Sequence, residues 1–230
     1  MKLSVIIPVY NEEKTLVQLV ERVEHAVLPQ GITKEIILIN DCSTDNSAAI
    51  LERWSDRHTV LTHRVNQGKG ASVIDGMRES TGDIVVIQDA DLEYDPNEYS
   101  LLLEPILDGR ADVVYGSRLV TNRPHRVMFY WHYLGNRFLT AFSNAFTNLN
   151  LTDMETCYKM MTREVVDAIK NKLVSRRFGL EPEITARVKS FRMYEVGISY
   201  AGRNYKEGKK IGWKDGVSAF WWIIKFNLFP

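Results

Sequence analysis

The chain has 230 residues, with 29 Lys and Arg balanced by 29 Asp and Glu, so its formal net charge at neutral pH is zero. That length suits one large domain with a full core, and the charge balance gives no overall field to recruit nucleic acid, so any anion binding must be local. The two cysteines, Cys42 and Cys157, match no Cys-x-x-Cys or Cys/His metal spacing, which points to passive thiols in a reducing compartment.

The N-terminal MKLSVIIPVYNEE has too short an apolar stretch for a secretory signal and runs directly into strand residues, which predicts a cytoplasmic protein. Residues 3–9 (LSVIIPV) read as a first buried strand. Asn11 is placed to cap a helix with Glu12 and Glu13 in its first turn and Leu16, Leu19, Val20 and Val23 at helical spacing. A second strand at 35–39 (EIILI) precedes a polar turn and a helix over 48–54. A weaker third strand at 60–63 leads to Asn66-Gln67-Gly68-Lys69-Gly70 and a helix over 71–78. Strands alternating with helices predict a mostly parallel sheet with helices on both faces. The first turn, Pro8-Val9-Tyr10-Asn11-Glu12, lacks the GxGxxG of a dinucleotide fold, and Gly68-Lys69-Gly70-Ala71 lacks the flanking residues of a P-loop. The glycine-lysine segment therefore reads as a flexible start to a helix, with a lysine in reach of a phosphate as the second reading.

Residues 82–96 (GDIVVIQDADLEYDP) organise the rest of the chain. The apolar run from Ile84 to Ile87 suits a strand buried on both faces. Asp89, Asp91 and Glu93 follow at alternate positions, so in a chain that stays extended their side chains project to one side. Three such acids repel one another unless a cation sits among them. Ligands of open α/β sheets gather at the carboxyl ends of strands, so the stretch reads as a site for a divalent metal and an anionic ligand. The other reading is a turn that caps the next helix at Asp95 and Pro96.

Beyond it, 101–107 reads as a helix and 112–115 (DVVY) as a fifth strand ending in Gly116-Ser117-Arg118. There Arg118 either pairs with an acid or grips a phosphate. Residues 124–151 are rich in aromatics and poor in acids, which fits either an inner core helix or one lying at a lipid interface through Tyr130, Trp131 and Tyr133. His125 and His132, with no third ligand beside them, read as ordinary histidines. Residues 153–161 read as the start of a strand, and 176–183 (RRFGLEPE) open a helix in which Glu181 and Glu183 are either a general-base pair or acids favoured by the helix dipole. A last strand at 192–200 precedes a loop holding Arg203, Lys206, Lys209 and Lys210, either a solvated surface or a lid over an anion, and an aromatic helix at 217–229. No run approaches the ~20 apolar residues of a membrane span.

Taken in order, VIIPVYNEE, EIILINDCSTD, NQGKGAS, GDIVVIQDADLEYDP, VVYGSR, FGLEPEI and GRNYKEGKK resemble the family 2 inverting glycosyltransferases, over nearly the whole chain. Within that family the likeness is to polyprenyl-phosphate hexose transferases of the dolichol-phosphate mannose synthase type. The resemblance implies an α/β GT-A (Rossmann-like) domain over 1–216, with peripheral amphipathic helices, 124–151 facing acceptor and membrane, and a short aromatic interface helix at 217–230. It implies a nucleotide-sugar donor (GDP-mannose or UDP-glucose), Mg2+ or Mn2+, a polyprenyl or dolichyl phosphate acceptor, and peripheral association with the cytoplasmic face of a membrane.

Carried over by position, Pro8, Tyr10 and Glu12 line the nucleotide pocket, with Ile39 and Asp41 on the base. Asp89, Ala90 and Asp91 form the family's DxD. Asp91 and Glu93 hold the metal, and Asp89 acts through ribose or water. Arg118, Arg203 and Lys209 face the donor diphosphate and the acceptor phosphate, joined at the acceptor by Arg137, and catalysis rests on Asp89, Asp91 and Arg118. Asn40 and Glu93 depart from the pattern of many relatives. The rival readings are an enzyme of the same fold that uses Glu181 or Glu183 as base toward a glycan hydroxyl, and a nucleotide-sugar-binding subunit without catalysis.

Overall fold

The computed structural model describes residues 1–120, 125–177, 179–203 and 213–229. The strands are β1 (Lys2–Val9), β2 (Thr33–Asn40), β3 (Thr59–Thr62), β4 (Ile84–Ile87), β5 (Val113–Ser117), β6 (Lys159–Thr162) and β7 (Met193–Gly197), in the sheet order β3-β2-β1-β4-β6-β5-β7. β6 runs antiparallel to both of its neighbours, β4 and β5, while the other pairings are parallel. The carboxyl ends of β1, β2, β4 and β5 therefore meet along one edge, the usual place for a ligand in such a sheet. Central strands in this position need apolar residues on both faces, and all four residues of β4 are buried.

Helices α1 (Leu16–His25), α2 (Ser47–Glu52), α3 (Lys69–Glu79), α4 (Tyr99–Leu107), α5 (Tyr130–Thr147), α6 (Arg163–Ile169), α7 (Leu180–Val188) and α8 (Trp213–Leu228) complete the fold. The apolar face expected of α1 is buried through Leu16, Leu19, Val20 and Val23. Its start differs from expectation. Asn11 takes a left-handed φ of 53° and does not cap it. The N–H groups of Asn11, Glu12 and Glu13 donate instead to Ser43 Oγ, Ser47 Oγ and Asp45 Oδ2, which ties the loop after β1 to the loop after β2.

Residues 153–158 are not strand. The N–H groups of Thr152 and Asp153 donate to the Glu195 carboxylate and that of Met154 to Thr140 Oγ1, so side chains satisfy this backbone in place of a ladder. Nor is the glycine-lysine segment loose. Gly68 has a φ of 94°, and a Cβ on Gly68 or Gly70 would run into the carbonyl oxygens of Arg176 and Ser175. Glycine is required there by a close approach of two backbones.

Helix α5 is no core helix. Its buried residues are Thr140, Ser143 and Thr147, while Trp131 is 76% and Phe138 59% exposed. α8 packs beside it, with the Phe142 and Phe220 rings stacked 4.3 Å apart, and leaves Trp221 57% exposed. Among the described residues, no helix is long and apolar enough to cross a membrane.

Candidate active site

The site begins where β4 runs out of apolar residues. Gln88 is fully buried; its Oε1 accepts the hydroxyls of Tyr99 and Tyr158, both at 2.7 Å, and its amide donates to the Asp89 carbonyl at 3.0 Å. The chain then turns, with Leu92 at a left-handed φ of 63°. The three acids consequently do not line one side of an extended segment: Asp89 turns to one cation, and Asp91 and Glu93 turn to another.

Asp89 meets Lys69 Nζ at 2.7 Å, and the same ammonium reaches Glu181 at 3.2 Å. Burial opposes the lysine's charge, but the two acids outweigh it and hold Lys69 protonated, its pKa well above the ordinary value. Asp91 and Glu93 turn to Arg203. That guanidinium lies 3.1 Å from Glu12, 2.9 Å from Asp91 and 3.4 Å from Glu93. Glu93 also accepts the Tyr200 hydroxyl at 2.6 Å and the Arg203 N–H at 2.8 Å.

One guanidinium does not neutralise these carboxylates. Burial first, then Asp89 and Glu93, push the Asp91 carboxyl up to about 7 against the pull of Arg203. A divalent cation is the group that relieves such a surplus. Among the described residues, no three His, Cys, Asp or Glu side chains converge into a closed metal cage. Magnesium-type sites commonly use only one or two carboxylates and take their other ligands from water and substrate phosphates, so Asp91 and Glu93 fit that chemistry.

The nucleotide side of the expected site is only partly as anticipated. Tyr10 is 39% exposed at the mouth, and Pro8 is partly buried at the end of β1. Ala90 is buried, and its carbonyl accepts the Thr15 hydroxyl at 2.8 Å. Ile39 does not present its side chain; it is fully buried with Cδ1 packed beside Gly76 of α3. Asp41 is likewise turned inward. Its carboxylate accepts the N–H groups of Gln67 and Gly68, each at 2.7 Å, and contacts His63 Nδ1 at 2.8 Å, so it fixes the turn before α3.

Arg118 is held by the buried Asp153 through Nε at 2.6 Å and Nη2 at 2.7 Å, and lies 5.2 Å over the Tyr200 ring. It opens onto a pocket of about 350 Å³ shared with His125, Met128, Tyr130 and Tyr133 at the start of α5. Arg137 is one step removed, donating to the Tyr133 hydroxyl at 3.1 Å. Lys209, with Lys206 and Lys210, lies outside the described residues.

The two glutamates of α7 separate cleanly. Glu183 is fully buried, accepts the N–H groups of Val174 and Ser175 and pairs with Arg187, which is a structural arrangement. Glu181 faces the site through Lys69. Sequence reading passed over Gln88, although a polar residue closing the run IVVI was a signal. Asp153 and Tyr200 carried no such signal in their spacing.

This sheet order, with an acidic turn after β4 and helices to either side, is the GT-A class of fold. Crystal structures of Mycobacterium tuberculosis glucosyl-3-phosphoglycerate synthase match it over 100% of this chain. The complex with Mn2+, UDP and glucosyl-3-phosphoglycerate does so with a TM-score of 0.75 and 17% identity over 81% of that chain, and the complex with phosphoglyceric acid with 0.74 and 19%, also over 81%. At such identities the likeness is one of fold. Residues 4–170 match the model of Glycosyl transferase family 2, and the chain belongs to that family. Similar relatives include a dolichol-phosphate mannosyltransferase of Pyrococcus furiosus, 31% identical over 92% of this chain and 61% of that protein. Another is an undecaprenyl-phosphate 4-deoxy-4-formamido-L-arabinose transferase of Proteus mirabilis, 30% identical over 90% of this chain and 62% of that protein. The chain thus spans about three fifths of the length of these curated relatives.

Proposed function

We propose that the protein transfers a hexose, with inversion, from a nucleotide-sugar (GDP-mannose or UDP-glucose) to a polyprenyl or dolichyl phosphate at the cytoplasmic face of a membrane, using Mg2+ or Mn2+. The observation that carries this reading is the placement of Tyr200, whose hydroxyl binds Glu93 while its ring lies beneath Arg118. One side chain joins an acid-rich cluster suited to a metal diphosphate to an arginine-floored pocket that opens beside the aromatic surface of α5.

In the proposed reaction an oxygen of the acceptor phosphate attacks the anomeric carbon, the bond from that carbon to the diphosphate oxygen breaks, and the nucleoside diphosphate leaves with the electron pair. The attacking oxygen is already anionic, so no general base is required. The protein's work is to bring two anions together and to stabilise the leaving one. Arg118, aligned by Asp153, faces the acceptor phosphate, with Arg137 behind Tyr133. Arg203 and Lys209 face the departing diphosphate, Pro8, Tyr10 and Glu12 line the nucleotide, and Asp89 is set by Lys69. A divalent ion held by Asp91 and Glu93 supplies further positive charge to the leaving group. The exposed aromatics of α5 and α8 support seating at a bilayer surface, where the lipid acceptor resides.

The relatives' names support a polyprenyl phosphate acceptor. The inward commitment of Glu183 weighs against the reading in which it deprotonates a glycan hydroxyl. The test is a transfer assay that pairs GDP-mannose and UDP-glucose with polyprenyl phosphate in vesicles, and separately with soluble glycans. Transfer confined to the lipid phosphate and abolished by a chelator is expected. Transfer to a glycan without lipid would overturn it.

A further inference from the structure

Arg203 stands on both of the carboxylates that fit a divalent cation. Its Nη2 lies 2.9 Å from Asp91 Oδ2 and its Nε 3.4 Å from Glu93 Oε1, so one guanidinium bridges the two residues that a metal would bridge. Nη1 reaches Glu12 Oε2 at 3.1 Å, a third acid outside the proposed metal pair. Water screens little here, since Arg203 is 18% exposed and Glu12, Asp91 and Glu93 are 12%, 17% and 11% exposed. A divalent ion bound directly to carboxylate oxygens needs the space beside them, and the guanidinium fills it. Two cations at such short range in a poorly screened site repel strongly.

The backbone that carries Arg203 has anchors of its own. The Tyr200 hydroxyl donates to Glu93 Oε2, the Ala201 N–H to the Glu93 carbonyl and the Arg203 N–H to Glu93 Oε1. From the other side, Arg126 donates its backbone N–H to the Tyr200 carbonyl and a guanidinium N–H to the Gly202 carbonyl. Exchange at the carboxylates therefore concerns the Arg203 side chain, whose long stem can carry the guanidinium to another anion while its backbone stays in place.

We propose that Arg203 is the metal site's own counter-cation: it holds the place of the divalent ion until metal arrives together with a diphosphate, to which the guanidinium then moves. The inference rests on the metal and diphosphate reading above and adds how filling of that site is regulated. Metal alone deprives Arg203 of two of its three acids. Metal with a nucleoside diphosphate offers the guanidinium new oxygens, in the forked geometry it favours. Metal and diphosphate therefore bind with positive coupling, and each raises the other's affinity by the same factor. A protein built this way takes up little free metal and holds it firmly with the donor.

The test follows Mn2+ binding to the full chain by the EPR signal of the free ion, with and without GDP or UDP. Arg203→Met keeps most of the stem and removes the cation. It should bind Mn2+ alone about tenfold tighter than the unsubstituted protein, and nucleoside diphosphate in the presence of Mn2+ about tenfold weaker. Loss of any nearby positive charge favours a cation, so the position of the side chain is read directly as well, in a measurement that needs no variant. In a crystal structure of the unsubstituted protein with Mn2+ and GDP or UDP, the guanidinium should have left Asp91 and Glu93 for the diphosphate oxygens. A guanidinium still bonded to both acids beside bound Mn2+, or equal affinity for Mn2+ alone in Arg203→Met and the unsubstituted protein, would overturn the exchange and leave the metal site standing. If Asp91→Ala binds Mn2+ as well as the unsubstituted protein does, the metal reading fails and the exchange falls with it.

Discussion

The Tyr200 hydroxyl donates to Glu93 Oε2 at 2.6 Å, while the ring of the same residue lies 5.2 Å beneath the Arg118 guanidinium. Tyr200 comes after β7 and Glu93 in the turn after β4, so this contact fastens the last described segment before the basic loop to the acidic turn. Orientation of a metal-binding carboxylate by a hydrogen-bonding neighbour tunes metal affinity. Tyr200→Phe keeps the ring under Arg118 and removes only the hydroxyl. We expect the Mn2+ concentration for half-maximal activity to rise by about tenfold, with little change in the apparent affinity for lipid phosphate. An unchanged metal requirement in a titration would contradict the assignment of Glu93.

Asp91 is expected to separate activity from folding. Its carboxyl is pushed up to about 7 by burial and by Asp89 and Glu93, so its charge is a burden on the ligand-free fold. Arg203 keeps Glu12 and Glu93 as partners when Asp91 is removed. Asp91→Ala should therefore melt at or above the temperature of the unsubstituted protein while transfer falls by about a thousandfold or more, the scale of losing a main electrostatic contribution to the transition state. Normal turnover with normal metal dependence would refute it.

The contrast between these residues shows which features are legible in a sequence. β1, β2 and β4 were readable because strands buried on both faces are continuous apolar runs, and α1 because its four buried residues recur at helical spacing. The acidic turn was located for the same reason, since it begins where the apolar run of β4 ends. Its geometry was not, because nothing in the letters DADLE announces that Leu92 takes a left-handed φ of 63°. Asp41 looked free to meet a base, yet its carboxylate is spent on the N–H groups of Gln67 and Gly68, a pairing that exists only once β2 and α3 are side by side. The Arg118–Asp153 pair spans 35 positions and has no local signature. The strand read over 153–161 is realised only from Lys159 onward, as β6, and its reversed direction depends on pairing with β4 and β5, which no local pattern announces.

At the edge of the sheet remote from the site, Glu35 makes a pH-dependent clamp. It accepts hydrogen bonds from the Ser4 hydroxyl, the Thr81 N–H at 2.6 Å, the Thr81 hydroxyl at 2.7 Å and the Gly82 N–H at 3.0 Å, with Lys2 3.1 Å away. Burial raises its pKa, but the bonds from Ser4, Thr81 and Lys2 together outweigh burial and hold it at about 2, below the ordinary 4.5. A group with a depressed folded pKa contributes stability that is complete above its unfolded value and is lost as pH falls through the folded one. Stability should thus decline between pH 4.5 and about 2. In Glu35→Gln the decline over that window should be shallower and the starting stability lower. Urea midpoints across the window test this, and parallel curves would contradict it.

The aromatic surface makes a prediction of a different kind. Trp131 on α5 is 76% exposed and Trp221 on α8 is 57% exposed, whereas the buried residues of α5 are Thr140, Ser143 and Thr147. A helix that turns its small polar residues inward and its aromatics outward inverts the usual pattern of a globular surface, and its apolar area is stabilised by an interface that water does not fill. Replacing Trp131 and Trp221 with serine deletes exposed rings and should leave the melting temperature nearly unchanged. Binding to neutral phosphatidylcholine vesicles should weaken by about tenfold or more, since each buried ring contributes on the order of 1 kcal/mol or more. Neutral lipid is the informative choice because it removes charge attraction as an explanation. Transfer to a short-chain, water-soluble prenyl phosphate should persist, because neither tryptophan lines the Arg118 pocket. Vesicle binding equal to that of the unsubstituted protein would place the membrane contact elsewhere on the molecule, and loss of activity toward the soluble acceptor would make these rings part of the catalytic site.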